Sequence, residues 1–379
     1  MREVFILSDN IISPLGDTSV ENFNNLKKNI SGIQLHEDAA LSDNSVFASL
    51  ITSPVQLPQD DKTIEFTKFE SLLIASIKDA LSKATVPPDS EKTVLIISST
   101  KGNISLLESG QPAAELRDRI ALNNSAKLVA DYFNFTVNPI VVSHACISGL
   151  VALITAMRLI RSGKFDHAVV AGADTITKFI LSGFQSFQAV SPEPCKPFDE
   201  ARNGITLGEG AATIVLSAKR SEGFSIKLCS GSISNDANHI SGPSRTGEEL
   251  FLAIEAALAE AAMTREKIDF ISAHGTATVY NDEMEARAIY LAGLQNVPVN
   301  SLKGFFGHTL GAAGLIETIV SAHSLKANTV LPTKGFFKQG TTRPLNVFNQ
   351  LKKGTYTTCL KTASGFGGCN AAVILQKME

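Results

Sequence analysis

Val141-Val142-Ser143-His144-Ala145-Cys146-Ile147-Ser148-Gly149 carries the chain from a β-branched apolar run into a helical one. Residues 150–161 have helical spacing, with Ala152, Ala156, Leu159 and Ile160 able to share a face. The spacing therefore places the Cys146 thiol near a helix N-terminus. Unpaired N–H groups and the helix dipole there favour thiolate, the nucleophilic form. Cysteine is also a small hydrophobe that is commonly just buried. Cys146 alone leaves both readings open.

Repetition organises the rest of the chain. The run 92–98 reads as a buried strand ending at Ser99-Thr100-Lys101-Gly102, and 267–273 reads the same way, ending at His274-Gly275-Thr276. The unit around Cys146 has a counterpart in Pro298-Val299-Asn300-Ser301, which runs through His308 into a helix over 311–326. Gly208-Glu209-Gly210-Ala211 and Gly367-Gly368-Cys369-Asn370 each feed an apolar strand. Matched pairs in the same order predict a duplicated α/β unit, with halves at 1–217 and 224–379. Lys219, Arg220, Ser221, Glu222 and Gly223 form a polar link between them. A helix over 66–84 places Phe69, Leu73, Ile77 and Leu81 on one stripe before Pro87-Pro88. A second, over 248–262, puts Leu252, Ala256 and Ala259 in phase. The stretch 13–61 reads as an irregular polar cap on the first half.

Composition sets the limits. The 379 residues are 44% hydrophobic and 19% charged, ordinary for a globular protein. A formal net charge of -3 supplies no global basic field for nucleic acid, although it leaves room for a local basic patch. The 5 cysteines are scattered without a CxxC pair, which argues against a disulfide framework and a metal site and for a reducing, cytoplasmic compartment. The N-terminal apolar run is too short for a signal peptide, and no run approaches the about 20 residues needed to span a bilayer.

Alternating strands and helices imply largely parallel pairing with helices outside, and ligands at the carboxyl ends of strands. Cys146, His274 and His308 each follow a strand of this kind. A lone histidine is more often structural. Two at equivalent strand ends beside a cysteine at a third point to one reaction centre, and neighbouring Gly149, Gly275 and Gly307 allow close backbone approach. His144 lies two residues before Cys146, on the same side of an extended chain, and reads as a supporting or packing residue.

These residues resemble the β-ketoacyl-acyl carrier protein synthases of the thiolase superfamily, elongating type. The resemblance rests on the cysteine elbow 144–149, on His274-Gly275-Thr276-Ala277-Thr278, on Lys303-Gly304-Phe305-Phe306-Gly307-His308-Thr309, and on Gly365-Phe366-Gly367-Gly368. Pro197-Phe198-Asp199-Glu200-Ala201-Arg202 with Gly208-Glu209-Gly210 adds a fifth block. Together they run from about Val141 to the end in the family's order. The first 130 or so residues resemble it only in rhythm. The resemblance implies a thiolase-like fold with mixed five-stranded sheets in an α-β-α-β-α layering.

It also implies roles. Cys146 takes an acyl chain from a carrier protein's phosphopantetheine, so that no separate cofactor is needed. His274 and His308 hydrogen-bond the malonyl thioester oxygen during decarboxylation. The Cys146 and Phe366 N–H groups form an oxyanion hole. Lys303 sets the local electrostatics with Glu317 as its partner, the other reading of Glu317 being a solvated helix charge. Thr276 and Thr278 bind the pantetheine arm, and Phe366 gates the site unless it is an ordinary core aromatic. Asp199 and Arg202 read as a structural ion pair, and Cys195, Cys229, Cys359 and Cys369 as packing residues. The Cys-His-His set separates the chain from Cys-His-Asn initiating enzymes. Cys369 falls in the variable slot of the glycine loop, unlike a degradative thiolase's second cysteine.

Some positions depart from the family pattern. Ile147 stands where a small residue is usual, His144 replaces a small or hydroxyl residue, and 101–124 is shorter than the segment that lines relatives' acyl tunnels. These departures favour a specialised polyene or aryl-polyene pigment chain, made with a cysteine-less homologue, as an alternative to fatty-acid elongation. A different class stays open as well: a non-catalytic subunit that sets chain length or holds the carrier. The expected assembly is a homo- or heterodimer that binds acyl carrier protein.

Overall fold

The computed structural model describes residues 2–55, 65–110, 113–220 and 225–378. Strands β1 (Phe5–Ile12), β2 (Thr93–Ser98), β3 (Ile140–Val142), β4 (His167–Asp174) and β5 (Gly210–Ser217) build the first half-sheet, in the order β3-β2-β4-β5-β1. Strands β6 (Ser225–Asn235), β7 (Phe270–Ser272), β8 (Pro298–Asn300), β9 (Thr358–Gly365) and β10 (Cys369–Met378) repeat it as β8-β7-β9-β10-β6, with the short strand Asn346–Val347 outside β8. The pairing directions repeat too. The three outer strands of each half run parallel, and the next two pairings are antiparallel. The half-sheets join where β1 meets β6, through Phe5 opposite Lys227 and Ile6 opposite Ile226.

The helices are α1 (Lys68–Ser82), α2 (Leu122–Tyr132), α3 (Ser148–Arg161), α4 (Lys178–Ser186), α5 (Glu248–Ala261), α6 (Val279–Leu291) and α7 (Ala313–Ala327). Helices α3 and α7 pack on each other and on strands of both half-sheets, so they form the middle layer. Helices α1 and α2 cover the first half-sheet from outside, and α5 and α6 the second. The five-layer arrangement follows from burial. In α3, Leu150, Ala152, Leu153, Ile154, Ala156, Met157 and Ile160 are all within 1% of fully buried. A helix apolar nearly all round must be covered on both sides, and each large aliphatic so buried contributes roughly 1.5–3 kcal/mol.

The middle helices approach backbone to backbone. A Cβ on Gly149 would lie 2.9 Å from Leu315 N and 3.1 Å from Gly311 O, and one on Gly314 would lie 2.8 Å from Leu150 N. Glycine is required at this crossing because any side chain would push the two helix starts apart.

Three expectations need correction. The stretch 13–61, as far as it is described, is not irregular: it holds a helix, Ser19–Lys27, closed by a Thr18/Glu21 capping box, and strands Gln34–His36 and Val46–Ser49. Residues 56–61 of it lie outside the described residues, as do Ser221, Glu222 and Gly223 of the polar link. Helix α5 buries Leu250, Ala253, Ile254, Ala257 and Leu258, whereas Leu252 is 58% exposed. Alanine fits either face of a helix, so the phase is set by Leu250, Ile254 and Leu258, which outweigh a stripe of one leucine and two alanines. Asp199 and Arg202 form no carboxylate–guanidinium pair. Arg202 Nη1 donates to the Asp199 backbone carbonyl at 2.9 Å, while the carboxylate accepts from the N–H groups of Ala201, Phe337 and Lys338 at 2.9, 2.6 and 2.8 Å.

Candidate active site

Strand β3 ends at Val142 and the chain reaches α3 through a sharp elbow. Ala145 adopts a left-handed φ of 45°, a strained conformation for a residue with a side chain. Ser148 Oγ closes the elbow, accepting from His144 N at 2.8 Å and donating to Ala145 O at 2.6 Å. The turn leaves Cys146 buried at 8% exposure, facing inward, and His144 exposed at the surface. Of the two readings of His144, supporting or packing, exposure removes packing within this chain.

Cys146, His274 and His308 line one cavity of about 350 Å³, with Thr276, Thr278 and Phe366. The two imidazoles meet edge to face, their centroids 5.2 Å apart. The Thr276 and Thr278 hydroxyls are 3.0 Å apart, as alternation on an extended segment predicts. A more apolar cavity of about 770 Å³ also borders Cys146, lined by Ala145, Ile180, Phe184, Phe187 and Leu310 and by the polar Thr100, Lys101, Glu108 and Lys178. Phe366 borders both and packs tilted against Phe184 and edge to face against Phe187, at centroid distances of 5.6 and 5.5 Å. It is 36% exposed, so it is not a core aromatic.

The thiolate expected at the start of α3 does not hold for the resting chain. Burial pushes the Cys146 thiol up to about 12, the neighbouring Cys369 adds to this, and Lys303 and the Phe366 N–H only partly offset it. Loss of water outweighs the helix terminus. Both histidines lie well below their ordinary value: burial disfavours the imidazolium, and Lys303 and Lys361 repel it. They are neutral rings at physiological pH, with one N–H each.

Buried ionic groups that do not line the cavity fix the histidines. Lys303 Nζ binds Glu317 Oε1 and donates to His274 O at 3.1 Å, so Glu317 is a buried partner and not a solvated charge. From α6, Glu285 accepts from His274 N and Gly275 N at 2.8 and 2.7 Å. Asp282 accepts from Thr276 N, Ala277 N and Phe198 N at 2.9, 3.2 and 2.7 Å. At the end of β4, Asp174 accepts from Ser99 Oγ and Gly311 N, both at 2.7 Å, tying the turn after β2 to the one after His308. His308 N donates to Thr206 O at 2.7 Å. Asp174, Asp282, Glu285 and Lys361 escaped the sequence reading. The signal for the carboxylates in α6 was their i, i+3 spacing directly after a histidine–glycine turn.

Cys195, Cys229, Cys359 and Cys369 are buried, as packing residues are. Among the described residues no group of three or more His, Cys, Asp or Glu side chains is arranged to hold a metal, and no helix is long and apolar enough to cross a membrane.

Comparison with known proteins places this geometry. Residues 1–222 match the beta-ketoacyl synthase N-terminal domain and 227–337 its C-terminal domain. The chain is 29% identical to a 3-oxoacyl-(acyl-carrier-protein) synthase 2 of Vibrio cholerae, over 100% of this chain and 99% of that one. It superposes with a TM-score of 0.88 and 26% identity on a chain of a ketosynthase in complex with its chain length factor from Xenorhabdus doucetiae, covering 99% and 98% of the two chains. The ishigamide ketosynthase/chain length factor gives the same score and identity over 99% of each chain. With a family model covering more than half its length, and with the thiolase-like fold and a Cys-His-His cavity in place, this chain belongs to the beta-ketoacyl synthase family.

Proposed function

We propose that this chain is a 3-oxoacyl-acyl carrier protein synthase whose nucleophile is Cys146. The observation that carries the proposal is the single cavity shared by Cys146, His274 and His308, with paired threonine hydroxyls at its wall. In the first step Cys146 attacks an acyl-phosphopantetheine thioester. The new thioester forms on sulfur, and the thiol proton leaves with the carrier's phosphopantetheine thiol. The high resting value of Cys146 fits this, since the thiolate needs to exist only during the exchange. The Cys146 and Phe366 N–H groups hold the tetrahedral oxygen.

Malonyl-carrier protein then binds with its pantetheine arm along Thr276 and Thr278. Loss of carbon dioxide leaves an enolate. The neutral His274 and His308 donate hydrogen bonds to its oxygen without bringing a proton acidic enough to quench the carbanion. The enolate carbon attacks the acyl thioester, the Cys146 sulfur departs and takes up a proton, and a 3-oxoacyl chain two carbons longer remains on the carrier. Lys303 and Glu317 support the histidines, and Phe366 gates the passage between the two cavities. No cofactor beyond the carrier's phosphopantetheine enters the cycle.

The finer reading is a specialised polyene or aryl-polyene chain, built by a dimer with a related cysteine-less subunit in the cytoplasm. It is supported by the likeness to two ketosynthase and chain length factor assemblies. The apolar cavity walled by Phe184, Phe187 and Phe366 also suits a flat conjugated chain. Intact-protein mass spectrometry after incubation with a panel of acyl carrier proteins tests both levels. One acyl group should be added to the wild type and none to Cys146→Ala, with unsaturated chains preferred. A saturated preference removes the finer reading. No adduct, with or without a co-expressed homologue, removes the catalytic reading and leaves a carrier-holding subunit.

A further inference from the structure

Lys361 lies in β9, on the face it shares with Cys359 and Ala363, where strand alternation aims side chains at the middle helices. Its exposure is 0%, an unusual position for a lysine. Its Nζ sits 2.7 Å from Glu317 Oε2, an ion pair and not a well-directed hydrogen bond, while Lys303 occupies Oε1. Its protons go to backbone carbonyls: Ser272 O at 3.1 Å, Ala273 O at 3.3 Å and Thr362 O at 2.6 Å. With Lys303 on His274 O, two lysines hold three successive carbonyls leading into His274. The adjacent Thr362 hydroxyl donates to Glu285 Oε1 at 2.7 Å, the carboxylate that grips the N–H side of the same turn. The Lys303–Glu317–Lys361 triad carries one net positive charge, which faces the Glu285 carboxylate on the other side of the turn.

An aliphatic residue would complete this apolar surface at lower desolvation cost, so packing gives no reason for the second cation. We propose that Lys361 is a positioning residue for the condensation, sharing Glu317 with Lys303 so that the His274 turn is fixed and the triad beside both histidines stays cationic, offsetting the buried Glu285 carboxylate. The proposal rests on the reaction assigned above. That charge favours the enolate oxygen as it becomes negative, and it disfavours the imidazolium, which would quench the carbanion. Other groups facing the histidines are Glu285 and Asp282 from α6, with Arg202 behind Asp282, then Cys146 at the elbow and Asp174 under the His308 turn. Lys303 and Lys361 are the lysines that act on both rings as cations.

The test uses the full-length chain and malonyl-acyl carrier protein as probe. Lys361→Met should slow decarboxylation by about tenfold in kcat with little change in KM, a loss of about 1.4 kcal/mol of transition-state stabilisation. The acid limb of its pH profile should move upward, because removing a cation makes the imidazolium easier to form. Acylation of Cys146 should persist. Lys361→Gln is the second variant. Its amide can still donate to the carbonyls but carries no charge, so it should show the same loss and confirm the effect where the methionine variant does not fold. Adding Glu317→Gln to Lys361→Met returns the triad to one net positive charge and should recover part of the rate and return the acid limb toward wild type. A merely structural lysine predicts the reverse, a double variant worse than the single. Wild-type rate and an unmoved limb in the folded single variants, or no recovery in the double, overturns the role of Lys361. Failure of the wild type itself to acylate and decarboxylate overturns the underlying reaction instead.

Discussion

The Cys146 and His308 elbows occupy equivalent places in the two halves, each between an outer parallel strand and a middle helix, yet their surroundings differ. From Ser301 to Ala322 every residue around His308 is buried, and the segment contains an ion-paired lysine and glutamate. The approach to Cys146 is open: Ile140, Val141 and Val142 are half-buried, and Ser143 and His144 are exposed. One copy of the unit has become a rigid electrostatic support. The other presents Cys146 beside the outermost strand of its half-sheet, where, on the function proposed above, a long chain enters and a second subunit docks. Duplication supplied the geometry twice, and burial divided the labour.

The sharpest break of this comparison is Cys146→Ala, which should abolish the acyl adduct while leaving malonyl decarboxylation measurable, read by mass and by carbon dioxide release. His308→Ala should do the opposite. Loss of a fixed donor to a developing oxyanion costs about 10²–10³ in rate, so decarboxylation should fall by that factor while the Cys146 adduct still forms. Equal loss of both steps in either variant would mean that the elbows do not divide the reaction. At the crossing of the two elbows, Gly149→Val should lower stability by about 1–3 kcal/mol through overpacking against Leu315 and Gly311, measured by denaturant unfolding. An unchanged midpoint would show that the helix starts separate freely.

The narrowest effect expected concerns Asp282, because it shows only in the pH dependence of stability. Burial raises its carboxyl to about 6, against an ordinary value of 3.8. The folded state therefore holds the proton more tightly than the unfolded one. Its contribution to stability is full below about pH 4 and is lost as pH rises through 6, by about 3 kcal/mol. Asp282→Asn should flatten this part of the stability profile, and a slope identical to the wild type would assign it elsewhere.

Much of this was legible in the sequence. Strand runs ending in Cys146, His274 and His308 gave the duplication, because strand and helix periods survive in apolar residues whatever their partners. Glu317 was found as the partner of Lys303 because the family pattern supplied the pairing. Lys361 was not, since a lysine in the middle of a strand reads as an exposed residue until the opposite carboxylate is seen. The phase of α5 was missed because alanine does not distinguish a buried face from a wet one. The thiol's resting state was missed for a different reason: helix position is local, whereas loss of water depends on everything folded around Cys146.

The glycine crossing of α3 and α7 sets a ruler. The separation between the Cys146 and His308 elbows is fixed by main chain touching main chain, Gly149 against Leu315 and Gly314 against Leu150, and not by the lengths of intervening side chains. Residues lining the two cavities can therefore be exchanged to suit another acyl chain while the distance over which the new carbon–carbon bond must form stays the same. Substrate range and reaction geometry are recorded in different parts of the polymer, and one can drift without the other.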